Sequence, residues 1–476
     1  MSTWSRMVAA RVGRAEPAVV TPDGRQWTAD ELLARAAGAA AWLDGIGAPP
    51  GSPVPALVPA GVPAFALLLA GTATERPLAP LSPRFTVAEL VDCIGRLPAA
   101  PILAAADHAP VAREVAARLL RPVTVVPDDF SPLGPELDMD PGPDAVVAVV
   151  HTSGTTGTPK PVHQRQGPLS LRVHRSASPI ELGPGSTYAT ASAFHHQAGV
   201  GMFLVAMGAG ATVVMLPRFT PTAWQGLAGL GVTHATVVPP LIEDLLAAGA
   251  FDLPTLRFVQ YGSAPLHPDT ARLLLEKHGR VRLHQNLGQT EGSPITDLSH
   301  EDHVEALARR PAILTSVGRA VPGSDLRIEN PGPDGVGEIV SRAAHYFAPD
   351  PDGWLRTGDL GRIDDEGYVY LAGRKNDAIN RGGETVYPVE VERAILAHPG
   401  VRRVAVAGVP DRRLGRVVHA WVVPEDPAAP PGADELRRFA RQRLAGYKVP
   451  TSWWLVADLP VNPSGKVLRR LLVPPT

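Results

Sequence analysis

The sequence predicts an α/β fold, a large N-terminal domain of parallel-rich β/α subdomains followed by a small C-terminal α+β domain. Three observations carry this. A chain of 476 residues is too long for one ordinary core, so more than one compact unit is expected. Short apolar runs bounded by glycine, proline or polar residues alternate with segments of helical spacing, the pattern of a mainly parallel sheet. From Gly367 onward that alternation shortens.

Element by element, Thr28 followed by Glu31 is a capping-box signature, and Leu32, Leu33, Ala36, Ala40 and Leu43 then recur on one helical face before Gly45. The runs Ala145 to Val150, Ala211 to Leu216, His234 to Val238 and Leu256 to Gln260 read as strands, and Thr270 to His278 as a helix. In the terminal part, Tyr368 to Leu371, Val401 to Val409 and Val417 to Val423 read as strands, with a helix over Val389 to Ala397. The Pro- and Ala-rich stretch Asp426 to Gly432 reads as a surface loop.

Composition narrows the function. The 45 Lys and Arg against 47 Asp and Glu give a formal net charge of -2, so no global attraction to nucleic acid or an anionic membrane is built in. The expected partner is a small-molecule acid, with no nucleic acid and no membrane. A single cysteine, Cys93, makes no internal disulfide and no thiol metal cluster. The N-terminal stretch has no continuous apolar core of a signal peptide, and no long uncharged apolar run follows. A cytoplasmic enzyme is expected.

The segment His151 to Val162, HTSGTTGTPKPV, follows the apolar run Val146 to Val150. Glycines and hydroxyl residues around Ser153 supply backbone N–H and O–H donors able to wrap a polyphosphate, and Lys160 adds positive charge. No GxxxxGK followed by Ser or Thr occurs, so this is not the usual P-loop. Further along stand LRFVQYGSAPL (256–266), LGQTE (287–291), WLRTGD (354–359), GRKNDAINRGGETVYPVEVE (373–392) and NPSGKVLRR (462–470).

In this order the motifs resemble those of the adenylate-forming superfamily, which includes acyl-CoA and aryl-CoA synthetases, nonribosomal adenylation domains and firefly luciferase. The resemblance runs from about residue 16 to 470. It implies ATP and Mg2+ as cofactors, with CoA a possible co-substrate or a separate acyl or peptidyl carrier protein as acceptor. It also implies a hinge between residues 1–375 and 376–476, with Asn376 as pivot. By this likeness Thr152, Ser153, Gly154, Thr155, Thr156, Gly157 and Lys160 hold the ATP phosphates. Ser263, Ala264, Pro265, Asn286, Leu287 and Leu371 flank the adenine, and Asp359 and Arg374 bind the ribose. Thr290 contacts the α-phosphate, Glu291 ligates magnesium, and Lys466 acts on the reacting carboxylate. Residues His195, His196, Gly199, Tyr261, Gly262, Gly288 and Pro294 are expected around the acid, with His196 as a gate. Tyr387, Pro388 and the Gly382-Gly383 turn are expected to face a thiol tunnel.

Three positions depart from the family pattern. Leu287 stands where an aromatic residue stacks on adenine, Asn376 where the pivot is Asp or Lys, and Pro161 where the phosphate loop often has Gly. The INRGGE run (379–384) also occurs in aryl-acid activating members, and no Asp marks an amino-acid ammonium site. An aryl or short unsaturated acid is therefore the leading substrate. Alternatives are another oxyanion such as nitrite, with capture of the adenylate by an amine; a luciferase-like oxygenase; and a non-catalytic nucleotide-binding relative.

Overall fold

The computed structural model describes residues 3–130, 137–152, 160–190, 192–216, 219–262, 266–382, 384–461 and 467–474. These form two compact units. The first comprises Met1–Leu314, Ala320–Ser324 and Arg342–Leu355, and the second Thr315–Arg319, Asp325–Ser341 and Arg356–Thr476.

Two sheets organise the first unit. One runs in the order Val123–Val125, Ile102–Ala104, Val54–Leu57, Leu78–Pro80, Val146–Thr152 and Lys160–Arg165, parallel except for the final pair. The other contains, side by side, Thr296–Leu298, Arg282–Leu287, Phe258–Gly262, His234–Thr236, Thr187–Thr190, Thr212–Met215, Val19–Val20 and Gln26–Trp27. Its central pairs are parallel, and Thr296–Leu298 and Gln26–Trp27 join antiparallel. This is the expected parallel-rich architecture.

The local rules operate as read. Thr28 caps the helix Ala29–Gly45, its side chain accepting from Glu31 N while the Glu31 carboxylate accepts from Thr28 N. Leu32, Ala36, Ala40 and Leu43 are buried on one face of that helix, and Leu33 is half-buried. The next helix, Val62–Ala73, is buried on nearly every side, so it needs no polar face. Trp4 anchors the N-terminus in this core, its indole N–H donating to the Leu204 carbonyl at 2.7 Å.

The second unit carries a four-stranded sheet in the order Asp325–Glu329, Gly337–Arg342, Leu355–Ile363 and Val369–Arg374. Its other sheet orders Glu384–Val386, Ile379–Arg381, Gly415–Pro424 and Val401–Asp411, with Ser452–Leu455 adding in parallel to Gly415–Pro424. Helices Pro388–Leu396 and Ala433–Arg441 accompany this sheet, and Val391, Ile395 and Leu436 enter its core.

Candidate active site

In open parallel sheets the carboxyl ends of the strands deliver functional groups to one edge. Here that edge of the larger sheet carries Thr190, Thr236, Gly262 and Leu287, the last residues of four neighbouring strands. Gly262 pairs with Asn286, and a Cβ on it would lie 2.6 Å from the Asn286 carbonyl oxygen, so only glycine permits this approach. Ser263, Ala264 and Pro265, which follow, lie outside the described residues.

Beyond Leu287 the chain makes a tight turn in which Gln289 N donates to Gly292 O at 2.9 Å and Gly292 N to Gln289 O at 3.2 Å. Thr290 and Glu291 sit half-buried at its tip. The turn is pinned from behind, since the Glu291 carbonyl accepts from Phe347 N at 2.8 Å and Ala348 N at 3.1 Å. A Cβ on Gly292 would stand 2.5 Å from Leu355 and 2.7 Å from Tyr346. The backbone of Glu291 is thus fixed, while its carboxylate has no hydrogen-bond or ion-pair partner among the described residues. A presented, unpaired carboxylate fits a hard cation whose other ligands are phosphate oxygens and water. Among the described residues no cluster of three or more His, Cys, Asp or Glu forms a complete metal cage.

Asn286 is bound into the sheet. Its amide donates to Asp297 Oδ1 at 2.8 Å and to Thr296 O at 3.3 Å, and its oxygen accepts from Gln260. The chain of contacts continues from Gln260 to Thr236 at 3.2 Å and on to the Tyr188 hydroxyl at 2.7 Å. Both Asn286 donors are therefore engaged, and a contact to adenine falls to its oxygen or to the backbone. Sequence reading missed this ladder, because it requires knowing which strands are neighbours. Tyr261, on the opposite face of its strand, is buried, and its hydroxyl meets His303 Nε2 at 2.6 Å and Gln285 at 3.3 Å. It offers its backbone, not its phenol, to this edge.

Thr152 and Lys160 face each other as an antiparallel pair, so the two feet of the phosphate-loop segment are held together. Ser153, Gly154, Thr155, Thr156 and Gly157 lie outside the described residues. Lys160 is exposed. His151, one residue before Thr152, is buried, and burial lowers its pKa to about 4, leaving it neutral near pH 7.

Segment 192–201 carries the histidine pair. The rings of His195 and His196 lie 4.2 Å apart, and Phe85 meets His195 edge-on at 6.1 Å. Burial lowers His195 to about 3, with the neighbouring His196 and Arg84 adding to the effect, and burial lowers His196 too. Both imidazoles are neutral, suited to packing against a substrate and not to supplying charge. The one-turn π-helix Gln197–Gly201 comes next. Gly199 is obligatory there, because a Cβ would fall 2.0 Å from the Ala193 carbonyl oxygen and 2.9 Å from that of Ser192. Gly288 is crowded in the same way by Ser293 Oγ at 2.5 Å, and the Pro294 carbonyl accepts from His345 at 2.8 Å.

Within the second unit, strands Leu355–Ile363 and Val369–Arg374 place Asp359 directly opposite Arg374. Their side chains form an ion pair, Arg374 Nε to Asp359 Oδ1 at 2.7 Å, and Arg374 also donates to the Thr357 carbonyl at 3.0 Å. Gly358, between Thr357 and Asp359, has φ of +69°, a left-handed conformation that favours glycine in this TGD turn. Leu371 is half-buried on the partner strand. The two residues read as ribose ligands are thus brought together.

Asn376 is exposed in the 3-10 turn Lys375–Asp377. Lys466 lies outside the described residues, as does Gly383. The feet of the Lys466 segment are joined by the bridge between Val461 and Val467. Sequence reading also missed Arg469, which donates to Glu392 at 2.7 Å and to Asp377 at 3.1 Å. Arg172 was missed as well, although its position beside Leu169, Val173 and Ser176 on one helical face signals burial.

No helix of the described residues is long and apolar enough to cross a membrane. Residues 7–348 match the AMP-binding enzyme family, and residues 390–466 match the AMP-binding enzyme C-terminal domain. The chain is 36% identical over 366 residues to the sulfoacetate–CoA ligase of Cupriavidus necator, covering 73% of this chain and 69% of that protein. It is 32% identical over 467 residues to a feruloyl-CoA synthase of Amycolatopsis sp., covering 94% and 93%. Among solved structures it is similar to the amide bond synthetase McbA of Marinactinospora thermotolerans, with a TM-score of 0.85, 30% identity and 98% coverage of each chain.

Proposed function

The chain belongs to the AMP-binding enzyme family, and from that premise we propose that it activates a small aryl or short unsaturated carboxylic acid as its adenylate and passes the acyl group to a thiol. It is an ATP-dependent adenylate-forming ligase. The observation that carries the reading is the Glu291 carboxylate, unpaired among the described residues on a turn fixed by Gly292 and the Phe347 N–H.

A carboxylic acid with a pKa near about 4 is ionised at neutral pH, so its attack on the α-phosphorus needs no general base. A carboxylate oxygen forms the new O–P bond while the bond to pyrophosphate breaks. The protein's part is alignment and neutralisation of charge. We assign Thr152, Lys160 and the loop between them to the β- and γ-phosphates, Thr290 and Lys466 to the α-phosphate, and Asp359 with Arg374 to the ribose. Glu291 would hold magnesium, which when bound offsets phosphate charge. In the second half-reaction a thiolate attacks the acyl carbon and AMP leaves. CoA or a separate carrier protein is the acceptor, with residues 376–476 turning about Asn376 between the two steps.

An amine acceptor is the second reading. Likeness to an amide bond synthetase over nearly the whole chain favours it. The test is a pyrophosphate-release screen over acids, followed by mass spectrometry of products with CoA, carrier protein or amines present. Lys466→Ala is the control, expected to keep ATP binding and lose pyrophosphate release. Full release by that variant, or no release by the wild type with any acid, would overturn the proposal.

A further inference from the structure

Arg172, on helix Gln166–Ala177, is 1% exposed. A buried guanidinium ordinarily has a carboxylate beside it, yet none lies within ion-pair distance of Arg172 among the described residues. Its five N–H donors have one protein acceptor there. With the Gln197 amide turned so that its oxygen faces Arg172, both terminal nitrogens reach that oxygen, the longer contact being 3.2 Å, and the Gln197 NH2 group faces Gln164. Nε has no partner among the described residues. Other neighbours include the Phe347 ring, 5.9 Å from the guanidinium carbon, Gly201, where a Cβ would come within 2.8 Å of a terminal nitrogen, and the Tyr188 and His345 side chains, both uncharged at neutral pH. Burial lowers the Arg172 pKa to about 10, which leaves the group charged at neutral pH.

This charge sits in a specific place. Gln197 opens the π-helical turn next to His196, and Phe347 is the residue whose N–H holds the Glu291 carbonyl at 2.8 Å. Arg172 therefore lies behind the segment expected to line the acid, between the histidine pair and the support of the Glu291 turn. Gly201, by having no side chain, makes the room it occupies. A buried charge without a counterion is unfavourable, so the site holds an unmet demand for an anion.

Resting on the adenylating function above, we infer that Arg172 and Gln197 form a specificity subsite for a second anionic group of the substrate, a carboxylate or sulfonate at the end of the acid away from the reacting carboxylate. Two parallel N–H donors match such an oxyanion. Gln197, a neutral side chain held by hydrogen bonds alone, is the element that yields when the anion enters. A neutral acid leaves the guanidinium unpaired and is discriminated against for that reason.

The test compares acids in pairs that differ only in carrying or lacking the distal anionic group, such as a dicarboxylic acid and its monomethyl ester. Wild-type enzyme is assayed for pyrophosphate release and for direct binding by calorimetry. The anionic member should be preferred roughly 10- to 100-fold in kcat/KM. In Arg172→Met that ratio should fall toward one, with the melting temperature held or raised, since an apolar group of similar length replaces an unpaired charge. Equal wild-type use of both members of every pair would overturn the inference while leaving adenylation standing. So would an unchanged preference in Arg172→Met. If that variant does not fold, the wild-type calorimetry still decides, because equal affinity for both members refutes the subsite. Absence of pyrophosphate release with every acid would instead refute the adenylating function on which it rests.

Discussion

Removing Arg469 should open a cluster of buried and half-buried charges in the second unit. Its guanidinium donates to both Glu392 oxygens at 2.7 and 2.8 Å, to Asp377 at 3.1 Å and to the Val406 carbonyl at 3.1 Å. The Glu392 side chain is 13% exposed. Burial raises its carboxyl pKa, and Arg469 with the Val406 N–H acts against that rise. In Arg469→Ala the carboxylate keeps the Val406 N–H at 2.8 Å as its hydrogen-bond donor among the described residues. Breaking a buried pair from one side costs about 3 to 5 kcal/mol. Because Glu392 can limit the loss by taking up a proton, the lower figure is expected, and the deficit should grow as pH rises from the unfolded carboxylate pKa of about 4.3 toward the raised folded value. Urea unfolding of wild type and variant, followed by circular dichroism at acidic and at neutral pH, measures it. A slope of about 1 to 3 kcal/mol/M turns 3 kcal/mol into a midpoint shift of about 1 to 3 M. The double variant Arg469→Met with Glu392→Leu should recover most of the loss, since apolar replacement removes both charges. Asp377 adjoins the proposed pivot, and Lys466 lies three residues before Arg469, so pyrophosphate release should fall in Arg469→Ala as well. A loss below about 1 kcal/mol, the size of an exposed pair, would refute the reasoning.

Asp359→Ala should weaken ATP binding by about 1.5 to 3 kcal/mol for each charge-assisted hydrogen bond to the ribose, and an unchanged dissociation constant in calorimetry would reduce the TGD stretch to a structural turn. Gly199→Ala should destabilise the first unit by about 1 to 3 kcal/mol, because its Cβ would meet backbone atoms of Ala193, and KM for the acid should rise more than that for ATP. A normal melting temperature together with a normal KM would refute that. Burial lowers His151, His234 and His303 to about 4 and His195 to about 3. Their unfolded forms bind protons from about 6.5 downward, so stability is full above that pH and is lost as pH falls toward 4, by about 1.4 kcal/mol per pH unit for each histidine at most. A melting temperature independent of pH between 7 and 5 would contradict the buried neutral histidines.

The sequence by itself determined what is local. Thr28 and Glu31 define a cap because the two residues bond each other across one turn, and that contact formed as read. The strands Val146–Thr152 and Val401–Asp411 follow from unbroken apolar or alternating runs between turn residues, and the motif order with Glu291, Asp359 and Lys466 identified the family. Only the tertiary structure decided what depends on neighbours distant in the chain. It turned the Tyr261 phenol toward His303, engaged Asn286 with Asp297 and Gln260, and joined Arg469 to Asp377 across 92 positions. Arg172 shows the limit most sharply. Its helical face is legible in the sequence, but the lack of a carboxylate beside it among the described residues depends on which elements pack around it. Periodicity is set by the geometry of one element, whereas the pairing of a buried charge is set by elements that the chain brings together only on folding.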